Sequence, residues 1–150
     1  MAEIIAMTAG HPRWEETIAL AENCSWRAGP VLAELMRGNQ FPGWERVFAA
    51  VEDGKVVGFC TLSARDELPE RYEYTPFIGF VFVDEAYRGR RISGQMLRTA
   101  MGYAGEIGFD VIYIMSGEKG LYEKFGFNAV GDFPTIYGTT ERLYVQSTGV

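Results

Sequence analysis

Apolar residues follow two different periods, and the change falls near residue 45. Before it the spacing is helical. Trp14, Ile18, Leu20, Ala21 and Cys24 recur within HPRWEETIALAENCSW and predict a first helix. Pro30 suits the opening of a second helix, VLAELMRG, which Gly38 ends. EIIAMT, ahead of both, alternates weakly and predicts a strand, while NQFPGW is a turn by composition. After the change, ERVFAAVED and KVVGFCTLSA flank Asp53-Gly54, a hairpin dipeptide, so they predict an antiparallel pair. ARDELPERYEY reads as a polar, acidic loop. YTPFIGFVFV is a continuous apolar run, the pattern of a strand buried on both faces, with Pro76 near its start.

The second half alternates strand and helix. RRISGQMLRTAMGYAGEIG places Ile92, Met96, Leu97, Ala100, Met101 and Ala104 on one stripe. VIYIM predicts a short strand, GLYEKFG a short helix closed by Gly126, and FNAVGDFPTIYG with TERLYVQ a closing hairpin. The predicted order is β-α-α-β-β-β-α-β-α-β-β. That is an α/β fold with a mixed central sheet and helices on both faces, in one domain over residues 1–150.

Composition narrows the function. The chain has 150 residues, 47% hydrophobic and 23% charged, an ordinary globular balance. Its net charge of −6 argues against a nucleic-acid partner and leaves room for a cationic one. No apolar stretch is long enough for a membrane span, and MAEIIAMTAG lacks a signal-peptide pattern, so a cytoplasmic setting is expected. Cys24 and Cys60 have no metal-like spacing and are expected to be reduced, and no metal site is expected around them and His11.

Against this acidic background, residues 87–94 read YRGRRISG, after a buried strand and before an amphipathic helix. Free cations are poorly placed at the positive end of a helix, so Arg88, Arg90 and Arg91 suggest an anion there. The first N–H groups of a helix lack partners inside it, and arginine forks suit phosphate, so a diphosphate is the expected occupant. Gly89 and Gly94 remove side chains where such a ligand would approach. The alternative is a helix start that needs glycine for its turn and binds nothing. The stretch is neither GxxxxGK[ST] nor GxGxxG.

The segment V81-F82-V83, D-E-A-Y, R88-G89-R90-R91-I92-S93-G94 does resemble the [RQ]-x-x-G-x-[GA] turn of the GNAT superfamily of acyl-CoA N-acyltransferases. Arg91 and Ser93 stand where that pattern has its two later glycines. LYEKFGF, residues 121–127, is similar to the family's Tyr-x-x-x-Gly-Phe segment through Tyr122, Gly126 and Phe127. The resemblance implies a GNAT-like fold, acetyl-CoA as cosubstrate, and N-acetyl transfer to a small-molecule or peptide amine by direct attack. It implies that Val81, Phe82 and Val83 bond the pantetheine arm in a gap before the next strand. It further implies that Arg88, Gly89, Arg90, Arg91, Ile92, Ser93 and Gly94 hold the diphosphate, and that Tyr122 protonates the departing thiolate. It also admits a homodimer.

Alternatives stay open at this level. Tyr122 equally suits a core aromatic, the two strands equally suit full pairing, and the whole domain equally suits an acyl-CoA-binding module without catalysis. The strand 74–83 holds no carboxylate, so Glu73, Asp84 and Glu118 are the candidates for the base, beside water and backbone carbonyls. The segment after VIYIM, MSGEKG, lacks the Asn that relatives often carry. Trp26, Phe41 and Trp44 are candidates for an acceptor pocket, and Asp66, Glu67, Glu70 and Glu73 for attracting an amine.

Overall fold

A computed structural model describes residues 2–149. The elements are β1 (Glu3–Met7), α1 (Trp14–Asn23), α2 (Gly29–Arg37), β2 (Arg46–Glu52), β3 (Lys55–Ser63), β4 (Phe77–Val83), α3 (Ile92–Glu106), β5 (Val111–Ser116), β6 (Asn128–Pro134) and β7 (Thr140–Ser147). Short 3-10 turns occupy Glu85–Tyr87 and Tyr122–Phe125, the latter where a short helix was expected. The strands form one mixed sheet in the order β1-β2-β3-β4-β5-β7-β6. Asp53 and Gly54 both take positive φ, 54° and 74°, as a two-residue hairpin of matching twist requires. His11 stands before α1, its Nδ1 accepting from the Arg13 N–H at 3.0 Å.

Each sheet face is buried by different partners. Val47, Ala49 and Val51 of β2 face α1 and α2, together with Met7, Trp14, Ile18, Leu32 and Met36. Phe48 and Ala50 face α3, with Met96, Leu97, Ala100 and Ala104. That alternation is the period of two expected of a strand buried on both sides.

Two bulges break the alternation. Between Ala50 and Val51 the register against β3 shifts, so Val57 faces α3 while Phe59 faces α1 and α2. In β4 the register shifts between Phe59↔Phe82 and Thr61↔Gly79, which leaves one extra residue in β4. Phe80 sits there at φ 49°, a left-handed conformation that is rare for a bulky residue. Before the shift Ile78 packs toward α3; after it Val81 and Val83 do, while Phe80 and Phe82 turn to the other face.

The helices α1 and α2 do not cover the whole face. Beyond them the segment between β3 and β4 covers β5 and β7, with Leu68, Tyr72 and Tyr74 packed around Phe77, Met115, Leu143 and Phe133. The expectation of a merely polar loop is therefore corrected: its apolar residues form a small core of their own. α1 and α2 meet closely at Gly29, where an added β-carbon would stand 2.2 Å from the Ala21 carbonyl oxygen. Helix propensity alone favours Ala over Gly. We expect the opposite for Gly29→Ala, a loss of about 1–3 kcal/mol in urea unfolding from steric overlap; equal or greater stability contradicts this packing.

Candidate functional site

The cleft follows from the path of β4. β4 and β5 run parallel but share a single bridge, Phe77↔Tyr113, beside which the Tyr113 N–H donates to the Pro76 carbonyl at 2.9 Å. Past that point the strands separate, while the other edge of β5 stays paired to β7 from Val111 to Ser116. The space between them is part of a cleft of about 830 Å³ that takes in residues 78–83 of β4 and residues 114–118 at the end of β5. Ligands of α/β sheets commonly sit at such a place, outside the carboxyl ends of parallel strands.

One wall is aromatic. Trp26, from the segment joining α1 to α2, stacks on Phe82 with ring centroids 5.9 Å apart and meets Phe80 edge-on at 6.3 Å. Of the three aromatics expected to line a pocket, only Trp26 reaches the cleft wall. Phe41 is buried against Trp14, and Trp44 packs on Phe109, so both are core residues.

The turn after β4 is built without regular helix. Asp84 accepts from the Ala86 N–H at 3.1 Å and so caps the first 3-10 turn, and it is not among the residues that line the cleft. Arg88 Nε donates to the Val83 carbonyl at 3.0 Å, and its guanidinium lies 5.7 Å from the Phe82 ring centre, so this arginine is fixed on the cleft wall. Gly89 has φ 82°, and a β-carbon there would meet nothing within 4 Å. Arg91 is the residue before α3, at φ 63°. It thus adopts the left-handed conformation that glycine takes without cost, at the position where the resembling pattern carries glycine.

The loop residues are not equivalent. Ser93 lines the cleft beside Arg88. Arg90 turns to Glu52 of β2, at 3.4 Å, and covers the Tyr87 ring, while the Tyr87 hydroxyl donates to Asp53. Its role in the structure is to tie the turn to the β2–β3 hairpin. Ile92 is buried in the α3 core. A β-carbon on Gly94 would stand 2.9 Å from a Phe125 ring carbon, so the bare backbone there makes room for Phe125, not for a ligand. The main-chain N–H groups of residues 92–94, in the first turn of α3, lack acceptors within the helix.

Tyr122 lies on the opposite side of the gap. It is buried but borders the cleft, wedged against Phe127 and Tyr144 with centroids 6.1 and 5.9 Å away. Gly126, at φ 92°, closes the turn that carries it. Burial above all, and then the groups Cys60, Glu118, Asp66 and Tyr144, push the Tyr122 phenol above its ordinary range, so it stays protonated and able to donate.

The floor of the cleft is acidic. Asp66 and Glu67 from the β3–β4 segment and Glu141 from β7 border it. Asp66 Oδ1 lies 3.3 Å from where a Gly79 β-carbon would stand, so it overlies the middle of β4. Burial, and then the Glu141 charge, lift the Asp66 carboxyl to about 7 against the pull of the Glu67 N–H. Burial, a hydrogen bond with Glu141 and the charges of Asp66 and Glu141 lift Glu67 to about 8. The other acids expected nearby behave differently: Glu73 is exposed, Glu70 reaches Arg65 at 3.8 Å, and Glu118 is an exposed member of the cleft rim. Glu141 was not visible from sequence, because nothing in TERLYVQ marks an inward acid. Among the described residues no group of three or more His, Cys, Asp or Glu is placed to hold a metal ion, and no helix is long and apolar enough to cross a membrane.

A carboxyl whose folded value is raised contributes stability below its unfolded value, ~4, and that contribution is lost as the pH rises through its folded value. For Asp66 the folded value is about 7. Asp66→Asn should therefore melt above the wild type by a margin that grows between pH 4 and pH 8 in calorimetry. Parallel melting curves contradict the assigned burial.

Comparison with known proteins agrees with this geometry. A family model described as the acetyltransferase (GNAT) family matches residues 12–127. The uncharacterized N-acetyltransferase YhbS of Escherichia coli K12 is 28% identical over 79 residues, 53% of this chain and 46% of that protein. The chain thus spans about half the length of the curated relative it matches. Among solved structures, aminoglycoside 6'-acetyltransferase type Ii has a TM-score of 0.76 at 19% identity, over 97% of both chains. A GNAT family acetyltransferase from Elizabethkingia anophelis with acetyl-CoA bound has a TM-score of 0.67 at 19% identity, again over 97% of both. At such identities the two structures attest a shared fold.

Proposed function

The chain belongs to the acetyltransferase (GNAT) family, and from that premise we propose that it passes the acetyl group of acetyl-CoA to a primary amine by direct attack. The observation that carries this reading is the separation of β4 from β5 after one bridge, with a protonated Tyr122 on one side of the gap. A thioester supplies the activated acyl group. Everything else falls to the chain's own residues.

Val81, Phe82 and Val83 offer the inner edge of β4 to an extended arm, in the manner of an added strand. Arg88 and Ser93 stand on the cleft wall, and the main-chain N–H groups of residues 88–94 receive the diphosphate where α3 begins. Arg91 and Ser93 keep this function because the donors are backbone groups, and Arg91 holds the glycine-like conformation. Arg88 supplies the fixed positive charge; Arg90, tied to Glu52, supports the turn. Tyr122 gives its proton to the departing sulfur.

Direct attack is favoured over an acyl-enzyme because neither thiol lines the cleft. Cys60 is fully buried, and burial pushes it to about 12. Cys24 donates to the Ala21 carbonyl at 3.3 Å. Two free thiols also suit a reducing, cytoplasmic setting. The acceptor enters between an aromatic wall and an acidic floor, which suits a cationic amine on a small molecule or peptide.

Two variants test the reading. Tyr122→Phe should lower kcat by roughly 10²-fold or more on a panel of primary amines while calorimetry finds acetyl-CoA affinity nearly intact; an equal loss of binding makes Tyr122 structural, and binding with no turnover by the wild type makes the domain a binding module. Arg88→Ala should weaken CoA binding by about 1–3 kcal/mol, the scale of a charge-assisted bond; unchanged affinity contradicts the placement of the diphosphate.

A further inference from the structure

The geometry points to Asp66 as the group that takes the proton from the acceptor amine, with Glu67 and Glu141 beside it on the cleft floor. This rests on the acetyl-transfer reading and adds the half of the chemistry that Tyr122 cannot supply.

Position comes first. β4 carries no carboxylate, and Gly79 leaves open the space above its middle. The Asp66 carboxylate fills that space, 3.3 Å from the missing β-carbon, with Thr61 Oγ1 at 3.2 Å from the same point. It therefore reaches the stretch of β4 that has left β5, where a thioester in the gap would meet an incoming nitrogen. The Glu67 N–H bonds the Asp66 carboxylate and fixes its direction.

The neighbours exclude the other candidates. Glu67 is turned to Glu141 in a hydrogen bond, and burial with that bond raises it further than Asp66, to about 8. Glu118 is exposed on the rim. Glu85 is exposed and accepts from Ser25 at 3.4 Å. The titratable groups that act on Asp66 come from three directions: Glu67 in its own segment, Glu141 on β7, and Tyr122 across the cleft. No cation is among them. That setting lifts the Asp66 carboxyl to about 7, where it is both ionised and basic near neutral pH.

The protons balance. An ammonium gives one proton to the Asp66 carboxylate. The freed nitrogen bonds to the thioester carbonyl carbon as the carbon–sulfur bond breaks. The sulfur takes the Tyr122 proton, and the second nitrogen proton returns to the phenolate through water. One proton then leaves Asp66 for solvent, and no oxidant or reductant is needed.

The test joins kinetics to a titration of the protein alone. For the wild type with a primary amine, kcat/KM should rise with pH and level off with an apparent pKa near 7. In the free protein, the ¹³C carboxyl resonance that Asp66→Asn removes should titrate at the same pH. Asp66→Asn should cost roughly 10²- to 10⁴-fold in kcat and lose that limb, with acetyl-CoA affinity kept. Glu141→Gln should move the limb to lower pH, because it removes a charge that raises Asp66. A limb that persists in Asp66→Asn, a rate loss under about tenfold, or a carboxyl resonance titrating near the ordinary 3.8 overturns the assignment. Failure of the wild type on every amine strikes the acetyl-transfer reading instead, and the resonance still decides the state of Asp66.

Discussion

β4 holds one residue more than β3 can pair, and the surplus falls at Phe80. A bulge bends its strand and sharpens the local twist, so the strand leaves its other neighbour. Here that neighbour is β5, and the pairing ends after Phe77↔Tyr113. The same shift exchanges the two faces of β4: Phe80 and Phe82 go to Trp26, and Val81 and Val83 go to α3. The left-handed backbone at Phe80 costs on the order of 1–3 kcal/mol, and the stacked aromatics around it hold it in place. Gap, aromatic wall and the entry into the turn before α3 all descend from that one surplus residue.

The cleft concentrates groups that destabilise the folded chain when charged. Asp66 is raised by burial and the Glu141 charge, Glu67 by burial and by Glu141 and Asp66, and Tyr122 is kept neutral above all by burial. A core free of function would pair such acids with arginine. Instead the nearby cations are used elsewhere: Arg88 on a carbonyl, Arg90 on Glu52, Arg65 on Glu70 and Arg142 on Asp132. On the proposed reading, Asp66 and Tyr122, both raised and both bordering one cleft, form a pair suited to moving protons at neutral pH.

Most of the fold was legible because each element carries a complete local pattern. Asp53-Gly54 marked the hairpin, the stripe from Ile92 to Ala104 marked α3, and Gly126 marked the end of the Tyr122 turn. The turn at 87–94 was visible for the same reason, since a strand, a glycine and a helix start are contiguous in the chain. What the sequence concealed depends on distant partners. Arg90 reads like Arg88 until Glu52, 38 residues away, claims it. Gly94 reads as clearance for a ligand until Phe125 arrives beside it. Leu68, Tyr72 and Tyr74 look like scattered residues in a polar loop, because their period is set by the surface of β5 and β7. Asp66 and Glu141 are 75 positions apart by number, and only the folded sheet brings their charges together.

The claim beneath all of this is that the gap opened by the bulge, continued by the turn before α3, is where coenzyme A lies. Amide hydrogen exchange with and without coenzyme A tests it most directly. The account predicts slowed exchange at residues 81–83 and 88–94, with the far hairpin of β6 and β7 little changed. Protection confined to other segments, or none at saturating coenzyme, would contradict it.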